Sequence, residues 1–309
     1  MQTTQIKKWR GKMRSIGNKG FTLLELLVVI TLLAILSLGA LSAYEGLTDT
    51  AQTTAKANNS TTIDRAIRAY AVIEQNYPNH WDHLVTNTGA SLTIAADITY
   101  EHLANVNIVA PLFRSNFDEM FENVGMDTFK VRQIVGFTPD VVPNLQHNFG
   151  SAGADVSATA ISSLSDFAIV PDATSGGTAC SVAGVPVNNK LNGVLVSADD
   201  ANHLNAINDS LDTENCELIV AFGFGHDAAH STAQSKAAIA TAPTHVTKDV
   251  NPAKNYARFL GLFKVGEDQN GDDNIDETEL YKKPRLISMV CAEGHPLDEE
   301  IGEAFEKDQ

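Results

Sequence analysis

Apolar and polar positions divide this chain into three regions. From Phe21 to Ala43, 23 residues carry a single charge, Glu25, and are otherwise apolar, small or hydroxyl-bearing. At about 1.5 Å per residue, a helix of that length is roughly 35 Å, enough to cross the hydrocarbon core of a bilayer. Beyond Tyr44 the pattern changes: Ile63, Ile67, Tyr70, Ile73 and Tyr77 recur at three- and four-residue steps, with Arg65, Arg68 and Glu74 off that stripe. This spacing predicts an amphipathic helix. Pro78 ends it, because the residue before a proline is pushed out of the α region and proline lacks an N–H. One helix from Phe21 to about Asn76 would be roughly 80 Å long, with Gly39 and Ser42 as its soft points.

The third region, from residue 78 onward, mixes both periods. Phe117 to Val124 reads as a short helix and Phe129 to Phe137 as a strand, whereas Ser151 to Gly184, rich in Ser, Ala, Gly and Thr, reads as a loop-rich insertion. Gly193 to Val196 and Glu217 to Phe222 read as strands, with Asp199 to Leu211 a helix between them. Tyr256 to Val265 and Pro284 to Cys291 read as two further strands joined by an acidic loop, and Asp298 to Gln309 as a short acidic helix or frayed end.

Glu25 is the informative charge. A carboxylate inside a spanning helix costs roughly 2.5 to 3.5 kcal/mol on insertion scales, so it needs a partner. Cutting the chain after Gly20 would create one, since the new α-amino group on Phe21 would lie about one helical turn from Glu25. The segment Gly20-Phe21-Thr22-Leu23-Leu24-Glu25-Leu26-Leu27-Val28-Val29-Ile30, behind a basic leader, resembles the N-terminus of the type IV pilin superfamily, which includes type II secretion pseudopilins. The resemblance is strong over about residues 15 to 45 and weaker to about 80. It implies that a prepilin peptidase cuts after Gly20 and that Phe21 is N-methylated. It further implies that Glu25 pairs with the N-terminus of a neighbouring subunit in a homo-oligomeric helical filament, built on a pilus or secretion assembly platform. The Tyr77-Pro78 ending is similar to the pseudopilin version of this helix, while the proline that many family members carry partway along the span is missing. Two plainer readings fit less well. The apolar run exceeds the roughly 7 to 15 residues of a signal-peptide core, and a simple anchor has no use for Glu25 or the Gly-Phe junction.

The 309 residues leave room for one large or two smaller domains after the apolar segment. Residues 1 to 20 hold six basic side chains and no acid, so removing them takes the formal charge from −16 to −22. By the positive-inside rule this leader stays cytoplasmic and the C-terminal bulk is exported. So acidic a domain argues against nucleic acid or anionic lipid as a ligand and favours divalent counterions. Three cysteines, Cys180, Cys216 and Cys291, permit three pairings with one thiol left over. Cys180 with Cys216 is the favoured pairing, because Cys180 lies in a loose Gly-rich segment.

The acidic loop spans residues 268 to 279. Read as a twelve-residue calcium loop, it places side-chain oxygens at positions 1, 3, 5, 9 and 12 (Asp268, Asn270, Asp272, Asp276, Glu279), the Asn274 carbonyl at position 7 and apolar Ile275 at position 8. An all-oxygen donor set suits Ca²⁺. Asp273 stands where an EF-hand has glycine, and the flanks read as strands, so the expectation is a lone calcium loop; the alternative is a solvated acidic hairpin. A second candidate, His226-Asp227-Ala228-Ala229-His230, puts two histidines one turn apart, as a zinc peptidase would, but has Asp227 where the general-base Glu belongs. Its third ligand is unannounced, His245 being one option. His80 and His83, flanking Trp81, read as surface and core. No phosphate loop, serine-nucleophile motif or basic aromatic patch occurs.

The expectation is therefore an α+β, pilin-like chain: leader 1 to 20, a long N-terminal helix over 21 to 77 with a membrane-spanning half at 21 to 43, and a globular head over 78 to 309 built on an antiparallel-rich sheet. Its function would be that of a filament subunit, stored in the bacterial inner membrane and then displayed outside the cell. Alternatives are a pseudopilin in a periplasmic pseudopilus and a membrane-tethered zinc hydrolase.

Overall fold

The computed structural model of the chain describes residues 21–84, 104–106, 111–134, 154–164, 167–170, 181–182, 185–186, 217–245, 250, 256–292, 295 and 297–307. These fall into two compact units, one ending at Asp49 and one beginning at Thr50. Helix α1 (Leu23–Glu74) contributes to both. In the first unit its large apolar side chains are exposed on every face.

In the second unit, α1 buries Thr53, Lys56, Ser60, Ile63 and Ile67, a seam of alternating three- and four-residue steps. That spacing lays one narrow stripe of a helix against a neighbour. The stripe expected from the sequence holds at Ile63 and Ile67 but not at Ile73, which is 52% exposed. The helix stops two residues early for the same reason that Ile73 is uncovered. Gln75 turns into the left-handed region (φ 59°), its side chain donates to the Val72 carbonyl, and the chain leaves the helix axis.

The chain then runs extended as a spacer between two sheets. His80 N–H donates to the Thr128 carbonyl, Lys130 N–H to the Trp81 carbonyl and His83 N–H to the Lys130 carbonyl, while Asp82 and Gly223 exchange both backbone bonds at 2.8 and 2.9 Å. Strands β1 (Ala104–Val106), β4 (Phe167–Val170), β7 (Glu217–Gly223), β8 (Leu260–Glu267) and β10 (Leu280–Val290) form an antiparallel five-stranded sheet in the order β1-β4-β7-β8-β10. Strands β2 (Thr128–Ile134) and β3 (Ala154–Ala160) pair antiparallel beside it. The segment expected to be a loop-rich insertion thus supplies β3 and β4, because pairing partners, not composition, define these strands.

Alternate residues of the central strands, Leu218, Val220 and Phe222 on β7 and Phe263 and Val265 on β8, enter the main core with Ile63, Ile67, Trp81 and the rings Phe117, Phe121 and Phe129. Phe117 and Phe121 come from α2 (Pro111–Glu122), a longer helix than the sequence predicts. Trp81 packs edge-on to Phe224 and Phe263 and lies over Gly261, where a Cβ would stand 2.6 Å from its ring. At the β10 edge, α1 and the residues after it reach the backbone. Arg68 Nη2 donates to the Ile287 carbonyl at 3.0 Å, and the Tyr77 hydroxyl accepts from Leu286 N–H at 3.1 Å. The same edge carries exposed Lys282, Lys283 and Arg285 and a buried Pro284. Helices α3 (His226–Ser231) and α4 (Leu297–Lys307) are the other described α-helices. The expected strand at 193 to 196 and helix at 199 to 211, and both Cys180 and Cys216, lie outside the described residues.

Candidate functional sites: the N-terminal helix and an acidic loop

Phe21 is 85% exposed, and from Leu23 to Leu41 helix α1 is long and apolar enough to cross a membrane, with none of that stretch buried within the chain. Glu25 opens this stretch in a specific arrangement. Its Oε2 accepts from both the backbone N–H and the hydroxyl of Thr22, each at 2.9 Å, and Glu25 N–H donates back to Thr22 Oγ1 at 3.2 Å. This reciprocal Thr-x-x-Glu exchange is a capping box, and a carboxylate in the first turn also complements the positive end of the helix dipole. Thr22 is a residue whose role the sequence reading missed, although the spacing itself was the signal. Among the described residues Oε2 takes both bonds, which leaves Oε1 for a partner.

The acidic loop follows β8. Asp268 and Glu279, at its two ends, are each 4% exposed. Asp268 Oδ1 accepts from Asn270 and Gly271 N–H at 3.1 and 2.8 Å, and its Oδ2 from Asp273 N–H at 2.8 Å. Glu279 Oε1 accepts from Gln269 and Asn270 N–H at 2.9 and 3.3 Å, so both carboxylates converge on the Asn270 amide. Among the described residues no cationic side chain pairs with either. Asp273, where an EF-hand has glycine, takes a left-handed conformation with φ 60°. Ile275 is buried in the short strand β9 (Asn274–Ile275), which pairs parallel with β5 (Ser181–Val182). β5 also pairs antiparallel with β6 (Val185–Pro186).

The remaining loop residues are more exposed. Asp272 Oδ1 accepts from Asn274 N–H at 2.9 Å. Asp276 caps the 3-10 turn Glu277–Glu279 in a second capping box, in which Asp276 N–H donates to Glu279 Oε2 at 2.9 Å. Bonds from the hydroxyl and amide of Thr278 hold the Asp276 carboxyl below its usual range. Asn270 is exposed and Asn274 half-buried. The structure therefore gathers Asp268 and Glu279 at the neck of the loop and spreads Asp272 and Asp276 over its two turns. The donors fit a hard cation: all are oxygen, and the two buried carboxylates are balanced by amides rather than by charge.

His226 and His230 stack on α3 with ring centroids 6.1 Å apart, exposed, and among the described residues they are not gathered with a third ligand. His245, one option for that ligand, is buried instead with Cys291 and Glu300, and all three of their ligand atoms lie within 4.8 Å of one another. This cluster escaped the sequence reading because its members come from distant segments. His83 is buried, and His80 is half-buried with a depressed pKa, caused first by burial and then by Lys130.

Comparison with known proteins finds a motif at the N-terminus. Residues 17–41 match the family model for the prokaryotic N-terminal methylation motif. The N-terminal segment therefore carries a prepilin-type methylation motif, the kind of N-terminus found in the type IV pilin superfamily. It is similar to the fimbrial protein of Neisseria meningitidis serogroup A, with 33% identity over 91 residues, and to that of serogroup B, with 32% identity over 91 residues. In each case the match covers 29% of this chain and 50% of the relative, so the chain spans about half the length of the curated relatives it matches. No solved structure matches the chain. The pilin-type apolar helix followed by a head of antiparallel sheets makes the fold α+β and pilin-like.

Proposed function

We propose that this chain is a structural subunit of a type IV pilus-like filament. In this reading it is held in the inner membrane, cleaved after Gly20 by a prepilin peptidase, N-methylated on Phe21 and polymerised through α1. The observation that carries the proposal is the helix from Leu23 to Leu41, whose large apolar side chains are all exposed among the described residues. Full burial of a large apolar side chain is worth about 1.5 to 3 kcal/mol, so such a helix requires first lipid and then neighbouring subunits as its surroundings. Glu25 supplies the registration. Its Oε2 is held by Thr22, and Oε1 is the atom assigned to the new amine of a neighbouring Phe21, a charge pair made in an apolar setting where an unpaired carboxylate is costly.

In the same reading Ca²⁺ is held by Asp268, Asn270, Asp272, Asp276 and Glu279 with the Asn274 carbonyl, and orders the acidic head. A pseudopilin of a type II secretion system is the second reading, favoured by the Tyr77-Pro78 helix ending and the acidic loop. N-terminal sequencing of the native protein tests the processing step, with methylated phenylalanine at position 21 expected first. A mature chain beginning elsewhere overturns the assembly scheme. Glu25→Ala is expected to be cleaved normally but to be lost from filaments. Recovery of the protein in sheared extracellular fibres separates a pilus from a periplasmic pseudopilus.

A further inference from the structure

We propose that His245, Cys291 and Glu300, joined by His295, form a buried zinc site that fastens the C-terminal helix α4 to the head. The first three are buried, come from three separate segments, and bring one imidazole nitrogen, one thiol sulfur and one carboxylate oxygen within 4.8 Å of one another. Mixed nitrogen, sulfur and oxygen donors are those of zinc and are foreign to calcium, which takes oxygen alone. Ligand atoms about 2.0 to 2.3 Å from a tetrahedral zinc stand roughly 3.3 to 3.8 Å apart, so closure requires a contraction on the order of 1 Å.

The surroundings are built for this. His245 is fixed by its N–H to the Ala257 carbonyl at 2.8 Å and by edge-on packing against Phe259. Cys291 N–H donates to the His295 carbonyl at 3.0 Å, a turn that keeps His295 close in the fold to Cys291, and His295 Nδ1 lies 4.0 Å from Glu300 Oε1. Glu300 is fully buried, and among the described residues neither carboxylate oxygen accepts a hydrogen bond. Its two oxygens face different groups: Oε2 lies 3.3 Å from Lys56 Nζ on α1, and Oε1 faces His295. Oε1 is thus free to ligate while Lys56 holds Oε2 as an outer partner that orients the carboxylate.

Binding would displace the Cys291 thiol proton to solvent, and thiolate plus carboxylate would then balance Zn²⁺, with both histidines neutral. The consequence is a clamp joining residue 245, the end of β10 and α4 at one point.

The test uses the full chain in detergent with excess calcium present. Elemental analysis should find one zinc per chain, lost in Cys291→Ser and in His245→Ala and retained in His226→Ala. Cobalt substitution should give a thiolate-to-metal charge-transfer absorption that Cys291→Ser abolishes. Should those variants misfold, wild-type protein still decides: a zinc-selective chelator is expected to accelerate alkylation of Cys291, read by mass spectrometry at that cysteine. Absence of zinc uptake, zinc that survives Cys291→Ser, zinc lost with His226→Ala, or alkylation indifferent to the chelator each overturns the proposal.

Discussion

The proposed calcium binding by the acidic loop would act first at its neck. The Asn270 amide, 3.1 and 3.3 Å from Asp268 Oδ1 and Glu279 Oε1, holds the two oxygens within about 6 Å of each other, where like charges repel by roughly 3 kcal/mol at an effective dielectric of about 20. A dication between them removes that repulsion and binds the folded loop selectively. At a free concentration of about 100 times Kd this linkage adds about 2.7 kcal/mol. For a head of this size, where 1 kcal/mol moves Tm by roughly 2 to 4 °C, the expected rise is about 5 to 11 °C. Trp81, buried in the core with its Nε1–H on the Pro78 carbonyl, is the reporter, because the other tryptophan, Trp9, precedes the proposed cleavage at Gly20. Thermal melts of processed protein with chelator and with excess Ca²⁺ measure the difference. Asp268→Asn, which removes the first-position charge, is expected to abolish the calcium-dependent rise. Identical melting with and without Ca²⁺, or an undiminished rise in Asp268→Asn, refutes the reasoning.

Three further perturbations test the head. Lys264 sits between Glu217 at 2.5 Å and Glu267 at 2.6 Å, so Lys264→Met strands the buried Glu217 and is expected to cost about 3 to 5 kcal/mol in urea unfolding, largely restored by adding Glu217→Met. A cost below about 1 kcal/mol would show that the pair is not holding the sheet. Burial and a hydrogen bond to Glu267 push Tyr281 up to about 12, and bonds to Glu217 and Glu267, outweighing burial, raise Lys264. Both folded values exceed the unfolded ones, so this stabilisation is complete below pH 10 and is lost as pH rises through about 12; Tm measured against pH should fall there, less steeply in Tyr281→Phe. Gly261→Ala drives a methyl into the Trp81 ring and is expected to cost about 1 to 3 kcal/mol and to shift Trp81 fluorescence.

How much of this was legible in sequence follows the range of the interactions. The apolar helix, the Ile63 and Ile67 contacts and the spacing of the acidic loop are local patterns, and each can be read from a short window. The buried polar groups cannot. Glu217 and Lys264 stand 47 residues apart, and neither would be assigned to the interior until β7 and β8 are paired. Likewise Asp82 is buried and accepts from the Tyr256 hydroxyl at 2.6 Å, a partner 174 residues away in the sequence. The strand Phe167 to Val170 was hidden by its Ser- and Ala-rich neighbours, since partners on both sides make it a strand. Ile73 erred in the other direction: the periodicity continues past the point where the head covers the helix.

Because Arg68 and Tyr77 occupy backbone groups on β10, and Lys282, Lys283, Pro284 and Arg285 lie on the same strand, the β10 border of the main sheet is, among the described residues, a poor template for another strand. Copies of this head could be crowded side by side along a fibre without fusing into cross-β aggregates, and contacts between them would fall to side chains and not to shared sheet.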